Sequence, residues 1–514
     1  MDGASPYLRQ LETFVPAVFS NCRGESGSRT LGSLSDGLAG YVPPPTVQGW
    51  DDLTALAAEK AGALLGADAA RALVMSLEES FTALTANHHA INTLPDFTQG
   101  TLVYALRLFA EGGGHGGKAL PVFAAGGVPM SDFTYPPGVL LGRPRNLNST
   151  AGERFRLFKP LARKTLVNWQ PAFCAEDVAK AGSRLTTGDW LWFEQTALAA
   201  ILSDILAGPE VLGQRLYSHQ CTVINAKLWP RFFKPEVPIP RLIMLDKLEL
   251  ERDLLIADMR NEDSLAYAIL FDTDLRYLVA RSLNGDRGCW TCESLDDRSP
   301  LVRGTLFFWG IDREGRMFPL NLDQEKNCLF STLHTSFRTE LTPGAIACAL
   351  SENSILPGLY MGFTAMALAR GLLCCGGVFQ TGYLRRMRKG TAACLAATGF
   401  KDMAACLEAL PDAPLTSGFL PIGFNNGINP PYAAGGVEMF ASGGLSAENL
   451  ETLRSLTVSQ ALDSSFDYIY ELVMPSGERM PGWREALRRG YGLELFPAAR
   501  PTSSPRLASA PGAG

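Results

Sequence analysis

The chain has no excess of basic residues and no uninterrupted apolar run long enough to cross a membrane. Lys and Arg total 46 against 52 for Asp and Glu, which gives a net charge of -6. Such a balance provides no electrostatic footprint for a nucleic-acid backbone or an anionic membrane surface. The most apolar stretch, residues 358–379, is interrupted by Arg370 and three glycines, so it predicts a buried helix followed by a strand. We therefore expect neither nucleic acid nor a membrane as a partner.

A disulfide framework is also absent. The 11 cysteines show no regular spacing, and a secreted chain of this size would rarely carry an odd number. Residues 1–6 have neither the basic start nor the apolar run of a secretory signal. These features predict a cytoplasmic protein with free, mostly buried thiols.

The length and composition indicate a packed protein with more than one structural unit. The chain has 514 residues, of which 46% are hydrophobic and 19% are charged, which excludes wholesale disorder. The composition and the periodicity of apolar residues change along the chain, and these changes predict six segments. They are an N-terminal helical segment (1–84), the first part of an α/β core (85–160), an inserted helical and β-hairpin region (161–330), the second part of the core (331–425), a C-terminal helical region (426–496) and a disordered tail (497–514).

The predicted fold class is α/β, with a parallel-sheet, nucleotide-binding-like core, inserted α+β segments and a helical C-terminal part. A helical stretch over 97–109 is followed by the short apolar run 119–125, which has the length of a buried strand. Leu265 to Leu270 forms a second apolar run that can end as a strand. Residues 304–320 read as a hairpin with a polar turn at 312–315.

The most informative stretch is 87–135, because two of the five histidines are adjacent there. His88 and His89 precede the predicted helix, and Asp132 follows the predicted strand. Ligands of open α/β sheets bind beyond the carboxyl ends of strands, and imidazoles act as acids or bases near neutral pH. We therefore predict His88, His89 and Asp132 as catalytic residues. The predicted substrate-binding residues are Asn87, Gln99, Ser131, Tyr135, His334 and Arg338. A structural origin for the histidine pair, with one ring in the core and one in solvent, remains the alternative.

Two carboxylates, Asp272 and Asp274, suggest a different chemistry. A D-x-D pair at a strand end can share a divalent cation and so hold a nucleotide-sugar diphosphate, as in many glycosyltransferases. The alternative is a solvated turn or a helix start. No metal site is assigned on this pattern alone.

Several segments together resemble the cysteine-adding enzymes of bacillithiol biosynthesis. That family has a T-G-Q-Q turn, an F-T-G-P-L-Y helix start, a P-V-F strand running into A-G-E-D-H-D-F, and a later E-Y-x-L-P...Y-V-G segment. The corresponding residues here are Asn87 to His89, Phe97 to Leu102, Pro121 to Phe123, and finally Glu352, Leu356-Pro357 and Tyr360 to Gly362. The family's Glu-Asp-His cluster is replaced by Gly127 to Met130, which leaves Asp132-Phe133.

The resemblance implies a nucleotide-binding-like core and a cleft between the matching regions, without implying cysteine ligation to an amino sugar. Our leading hypothesis is a ligase or group transferase that acts on a small polar metabolite in this cleft, with a nucleotide as one candidate partner. The sequence does not disclose whether a cofactor is required. A metal-dependent glycosyltransferase and a non-catalytic binding or scaffold protein remain the alternatives.

Overall fold

The computed structural model describes residues 5–110, 118–145, 152–158, 164–286, 288–289, 301–302 and 306–499. The α-helices are α1 (Pro6–Phe14), α2 (Pro16–Cys22), α3 (Gly24–Ser28), α4 (Leu31–Asp36), α5 (Asp51–Leu65), α6 (Ala67–Glu79), α7 (Pro95–Ala110), α8 (Ala175–Thr187), α9 (Trp192–Ala200), α10 (Pro209–Leu212), α11 (Tyr217–Leu228), α12 (Lys247–Asp258), α13 (Leu265–Phe271), α14 (Thr273–Ser282), α15 (Pro343–Ser351), α16 (Leu359–Phe363), α17 (Gln380–Ala397), α18 (Lys401–Ala409), α19 (Gly436–Ala441), α20 (Ala447–Ser455), α21 (Val458–Asp463), α22 (Phe466–Val473) and α23 (Trp483–Leu487).

The strands are short, and most have three to seven residues. They are β1 (Thr82–Leu84), β2 (Ala119–Ala124), β3 (Gly138–Pro144), β4 (Gly152–Arg156), β5 (Arg241–Asp246), β6 (Leu301–Val302), β7 (Phe308–Ile311), β8 (Met317–Pro319), β9 (Asn321–Asp323), β10 (Cys328–Phe330), β11 (Arg338–Glu340), β12 (Ile355–Pro357), β13 (Leu373–Cys375), β14 (Ile422–Phe424), β15 (Tyr432–Ala433) and β16 (Leu493–Leu495).

The centre of the fold is a four-stranded sheet in the order β13-β1-β2-β5, and every pairing in it is parallel. The longest pairing joins β2 to β5 from Ala119 opposite Arg241 to Ala124 opposite Asp246. The chain passes from β1 to β2 and β5 and then returns to place β13 on the other side of β1. The strand order therefore reverses between β1 and β13. The predicted α/β class with a parallel-sheet core is confirmed.

Both faces of this sheet are buried, as a parallel sheet requires. Along β2, Leu120, Val122 and Ala124 join one apolar cluster, whereas Ala119 and Phe123 join the other. Helices α7 and α11 contribute to the first cluster, and α5, α6 and α12 contribute to the second. The alternation follows from the two-residue repeat of a strand, which turns successive side chains to opposite faces.

Several local predictions are confirmed. Helix α7 and strand β2 lie where the helical and buried-strand patterns placed them. Strands β7 and β8 form the predicted antiparallel hairpin. Its turn ends at Gly315, which has a φ of 71° that an L side chain rarely adopts. The C-terminal part is helical, from α19 to α23.

Two strands of the central sheet lie outside the ranges predicted for the core. Strand β1 ends the segment predicted as helical, because three residues are too few to show a two-residue repeat. Strand β5 falls within the region predicted as an insertion. The apolar run Leu265 to Leu270, expected to end as a strand, forms helix α13 instead, and Ser264 caps its start by accepting from the Tyr267 amide.

The smaller sheets surround the central one. Their orders are β11-β10-β9-β6, β12-β7-β8, β15-β14-β16 and β3-β4. Among the described helices none combines the length and apolar character needed to cross a bilayer. The predicted disordered tail lies outside the described residues from position 500 onward.

Candidate active site

The loops after β1 and β2 continue side by side beyond the ends of the strands. The Ala125 amide donates to the Asn87 carbonyl at 2.8 Å, and the His89 amide donates to the Ala125 carbonyl at 2.9 Å. His88 thereby pairs with Ala125 in a parallel bridge. These bonds hold the histidine pair at the carboxyl edge of the sheet, where open α/β folds bind ligands.

His88 and Asp132 meet at this edge, as the sequence predicted. Nδ1 of His88 lies 3.0 Å from Oδ1 of Asp132, and the two side chains are 25% and 18% exposed. Donation from Nδ1 to the carboxylate leaves Nε2 with its lone pair. Because the imidazole is accessible to solvent, this arrangement can accept a proton from a bound molecule.

Thr134 also holds the carboxylate of Asp132, through the same oxygen that His88 contacts. Its amide donates to Oδ1 at 3.0 Å and its hydroxyl at 2.7 Å. Burial would raise the pKa of Asp132, but the hydrogen bonds from His88 and Thr134 outweigh it and hold the pKa below its ordinary value. Asp132 is therefore ionised at neutral pH and can stabilise a positively charged imidazole.

Aromatic rings border the imidazole of His88. The ring centroid of Phe97 lies at 5.4 Å and that of Phe133 at 6.0 Å. Phe133 is 52% exposed, which is unusual for so large an apolar side chain. A ligand bound at His88 would therefore lie next to apolar aromatic rings as well as the polar His88–Asp132 pair.

His89 lies on the inner side and does not share this opening. It is 0% exposed, and its Nε2 donates to the Ser218 carbonyl at 2.8 Å. Burial lowers the pKa of His89 to about 4, so the ring is neutral at physiological pH. The placement corrects the expectation of a direct catalytic contact and gives His89 a structural role.

Two of the predicted substrate-binding residues have buried side chains that form hydrogen bonds within the protein. Asn87 is fully buried and donates to the Thr101 hydroxyl at 3.1 Å. Gln99 is buried and makes three backbone hydrogen bonds, to Ile422 and Ala434. Neither side chain is open to a ligand, so the prediction that they bind substrate is corrected.

The other predicted binding residues are dispersed. Ser131 is exposed next to Asp132. Tyr135 is buried at the end of the same loop, with a φ of 59° and with Arg154 over its ring. His334 and Arg338 are exposed on and near β11, and the His334 ring lies 4.1 Å from that of Phe318. The described contacts of these last two residues do not connect them to His88.

The sequence did not predict a second histidine–carboxylate pair. His219 Nε2 lies 3.1 Å from Glu249 Oε1, with side chains 28% and 17% exposed. Burial would raise the pKa of Glu249, but His219 and Lys60 lower it below its ordinary value. The residues are 30 positions apart in sequence, and the available signal was the position of Glu249 just after an apolar strand.

The two pairs flank His89. Its ring is bonded to the carbonyl of Ser218, the neighbour of His219, and the charges of Glu249 and His219 both act on its pKa. Asp246 ends β5 beside them and caps α12 by accepting from the Leu248 amide at 3.0 Å. Burial, followed by repulsion from Glu249, raises the pKa of Asp246 well above its ordinary value. The carboxyl edge thus carries two acid–base pairs around one buried imidazole.

No protein-family model, curated protein or solved structure matches this chain. The resemblance to the cysteine-adding enzymes therefore stays a prediction.

The residues proposed for metal binding have other roles. Asp272 caps α14 by accepting from the Leu275 amide at 2.8 Å, and Asp274 lies in the first turn of that helix. Within the described part of the chain, no three His, Cys, Asp or Glu side chains are grouped so that they could hold a metal ion. Asp272 and Asp274 therefore form the start of a helix, which was the alternative to a D-x-D metal site.

Proposed function

We propose that this protein is a ligase or group transferase that acts on a small polar metabolite at the carboxyl edge of its parallel sheet. The observation that carries the proposal is the partly exposed His88–Asp132 pair, with a 3.0 Å contact between Nδ1 and Oδ1. Its place beyond the carboxyl ends of the neighbouring strands β1 and β2, the edge at which open α/β folds bind ligands, supports the same conclusion.

His88 would act as the general base. Its Nε2 would take the proton of an attacking hydroxyl or amine while that atom forms its bond to the transferred group and the bond to the leaving group breaks. Asp132 would orient the ring and stabilise the imidazolium that this proton creates, and a second histidine–carboxylate pair would protonate the leaving group. Positioned proton transfer of this kind contributes roughly 10²–10⁴-fold to a rate.

His219 and Glu249 would provide the second acid–base pair. A transfer reaction needs one group to remove a proton and one to deliver a proton, and two imidazoles with separate carboxylates can divide these tasks. Because His89 is buried between the pairs, it would hold the two loops in register without taking part in proton transfer.

A thermal-shift screen of nucleotides and sugar nucleotides tests the proposal, since a ligand that binds only the folded state raises its melting temperature. We expect at least one compound to stabilise the wild-type protein. His88→Asn retains a donor to Asp132 but lacks Nε2, so it should reduce that stabilisation or the turnover of the compound. Asp132→Asn should act in the same direction.

His334→Gln is the matched control, because His334 is exposed and packs on Phe318 away from the pair. Its response to the compound should equal that of the wild type. Equal responses of His88→Asn and wild type, in both binding and turnover, would exclude the proposed site. A screen without any response would favour the binding or scaffold alternative.

A further inference from the structure

A cavity of about 300 Å³ lies between strand β3 and helices α22 and α23, and none of the four residues of the histidine pairs lines it. Strand β3 forms one wall, and Leu420, Tyr432 and Ala433 of the C-terminal sheet region form another. This volume is at the lower end of the range for small-molecule sites. The cavity therefore has room for a compact organic molecule.

The lining of the cavity is strongly basic although the protein as a whole has a net charge of -6. Arg143, Arg145, Arg484 and Arg488 line it, and Asp467 is the one carboxylate among its described lining residues. Burial raises the pKa of Asp467 above its ordinary value, although the charges of Arg488 and Arg484 act in the opposite direction. The positive charge is thus a local property of this cavity.

Two of the arginines are held in place by carboxylates behind them. Arg143 makes two hydrogen bonds to the fully buried Glu194, at 2.6 and 3.0 Å. Arg484 donates to Glu471 at 2.8 Å. Within each arginine–carboxylate pair the two charges largely cancel. The pairs nevertheless hold the guanidinium planes in fixed orientations, which preorganises the wall of the cavity.

The other two arginines keep charge available for a ligand. Arg488 donates to the Pro431 carbonyl at 3.1 Å, and no carboxylate of the described chain forms an ion pair with it. Arg145 is 49% exposed and reaches Glu153 only at 4.0 Å. Planar guanidinium groups bind carboxylate and phosphate oxygens in bidentate geometry.

Aromatic side chains complete the cavity. Tyr432, Tyr468 and Tyr491 line it. Burial, followed by the charges of Glu438 and Glu194, raises the pKa of Tyr432, so its hydroxyl remains a neutral hydrogen-bond donor. Basic and aromatic residues therefore line the same cavity.

We infer that this cavity is a binding site for a small anionic molecule that carries a carboxylate or phosphate on a ring. The site shares no residue with the His88 and His219 pairs, and it does not depend on the proposed function. The volume of about 300 Å³ favours a metabolite-sized ligand.

Isothermal titration calorimetry with phenyl phosphate and with benzoate tests the inference and separates the two kinds of anion. We expect at least one of them to bind the full-length protein with one-to-one stoichiometry. Arg488→Gln should weaken that binding by about tenfold or more, which is the loss expected for one charge-assisted hydrogen bond. Arg145→Gln should weaken it in the same direction.

Arg489→Gln is the matched control, because Arg489 is the exposed neighbour of Arg488 and does not line the cavity. Its affinity should equal that of the wild type, and so should that of His88→Asn. Circular dichroism of Arg488→Gln establishes that the variant is folded. Absence of binding for both probes, or equal weakening by Arg488→Gln and Arg489→Gln, would overturn the inference.

Discussion

His88 and His89 are adjacent in sequence but occupy opposite environments. The segment that carries them is extended and paired with Ala125, so successive side chains point to opposite sides. One imidazole therefore reaches Asp132 near the surface, while the other reaches the Ser218 carbonyl inside. The sequence could suggest this division of roles, but it could not say which histidine faces outward.

The buried imidazole of His89 makes stability depend on pH. Burial lowers its folded-state pKa from 6.5 to about 4, so the unfolded chain binds more protons between these values. The free energy of unfolding should therefore fall as the pH drops from about 7 to 4, by up to about 3 kcal/mol from this group. His89→Gln keeps a donor for Ser218 and removes the titration, and urea denaturation across this pH range should show a smaller slope.

The exposed His334 serves as the control residue for the pH dependence of unfolding. His334→Gln should retain the wild-type dependence of unfolding free energy on pH. An unchanged slope in His89→Gln would mean that His89 does not account for the acid sensitivity.

A buried arginine connects three helical segments. Arg370 is 1% exposed and forms ion pairs with Asp52 at the start of α5 and with Asp258 at the end of α12. Its side chain also donates to the Ala365 carbonyl at 2.7 Å. Arg370 interrupts the apolar run 358–379 in the sequence. In the structure it joins this run to helices α5 and α12.

Removal of this arginine should strongly destabilise the protein. Asp258 is 1% exposed, whereas Asp52 is 47% exposed. Arg370→Met would leave the buried Asp258 carboxylate without its cation, and we expect a loss of about 3–5 kcal/mol in unfolding free energy. Asp52→Asn should cost less than Arg370→Met, because Asp258 still pairs with the buried guanidinium and solvent reaches the half-exposed position 52.

Urea denaturation of the two variants measures the difference. In Arg370→Met, the further change Asp258→Leu should recover part of the loss by removing the stranded charge. Similar small losses in Arg370→Met and Asp52→Asn would show that water or Gln48, which donates to Asp258 at 2.6 Å, compensates for the missing guanidinium.

The central sheet and the C-terminal sheet are joined through one buried amide. Gln99 belongs to α7, which packs on the parallel sheet, and it donates to the carbonyls of Ile422 and Ala434 at 2.9 Å each. Its Oε1 accepts from the Ile422 amide at 2.9 Å. A side chain predicted to hold substrate thus holds two parts of the protein together.

Gln99→Leu should leave the Ile422 amide and the Ala434 carbonyl unpaired in the interior, whereas the Ile422 carbonyl still accepts from the Ala434 amide at 2.9 Å. Each unsatisfied group costs roughly 1–3 kcal/mol, so we expect a loss of at least about 2 kcal/mol. Hydrogen exchange should show earlier opening of β14 and β15 than of β2. Gln214→Leu, at a partly exposed position, should leave both measurements close to wild type, and equal protection of β14 in Gln99→Leu would contradict the proposed coupling.

The amino-acid sequence by itself determined the local elements and one contact of the site. Helix α7, strand β2 and the β7–β8 hairpin follow from apolar repeats and turn residues that act over a few positions. His88 and Asp132 were predicted to meet because loops after neighbouring parallel strands share one edge. These inferences need only short-range patterns and one rule of sheet architecture.

Only the tertiary structure decided which distant groups became partners. The pairing of His219 with Glu249, the three-residue strand β1 and the arginine cavity between β3 and α23 depend on packing of elements that are far apart in sequence. No local periodicity encodes such contacts, because they arise when both faces of the central sheet are buried and the flanking helices are brought together. The same packing buried His89, Asn87 and Gln99 and left His88 open to solvent.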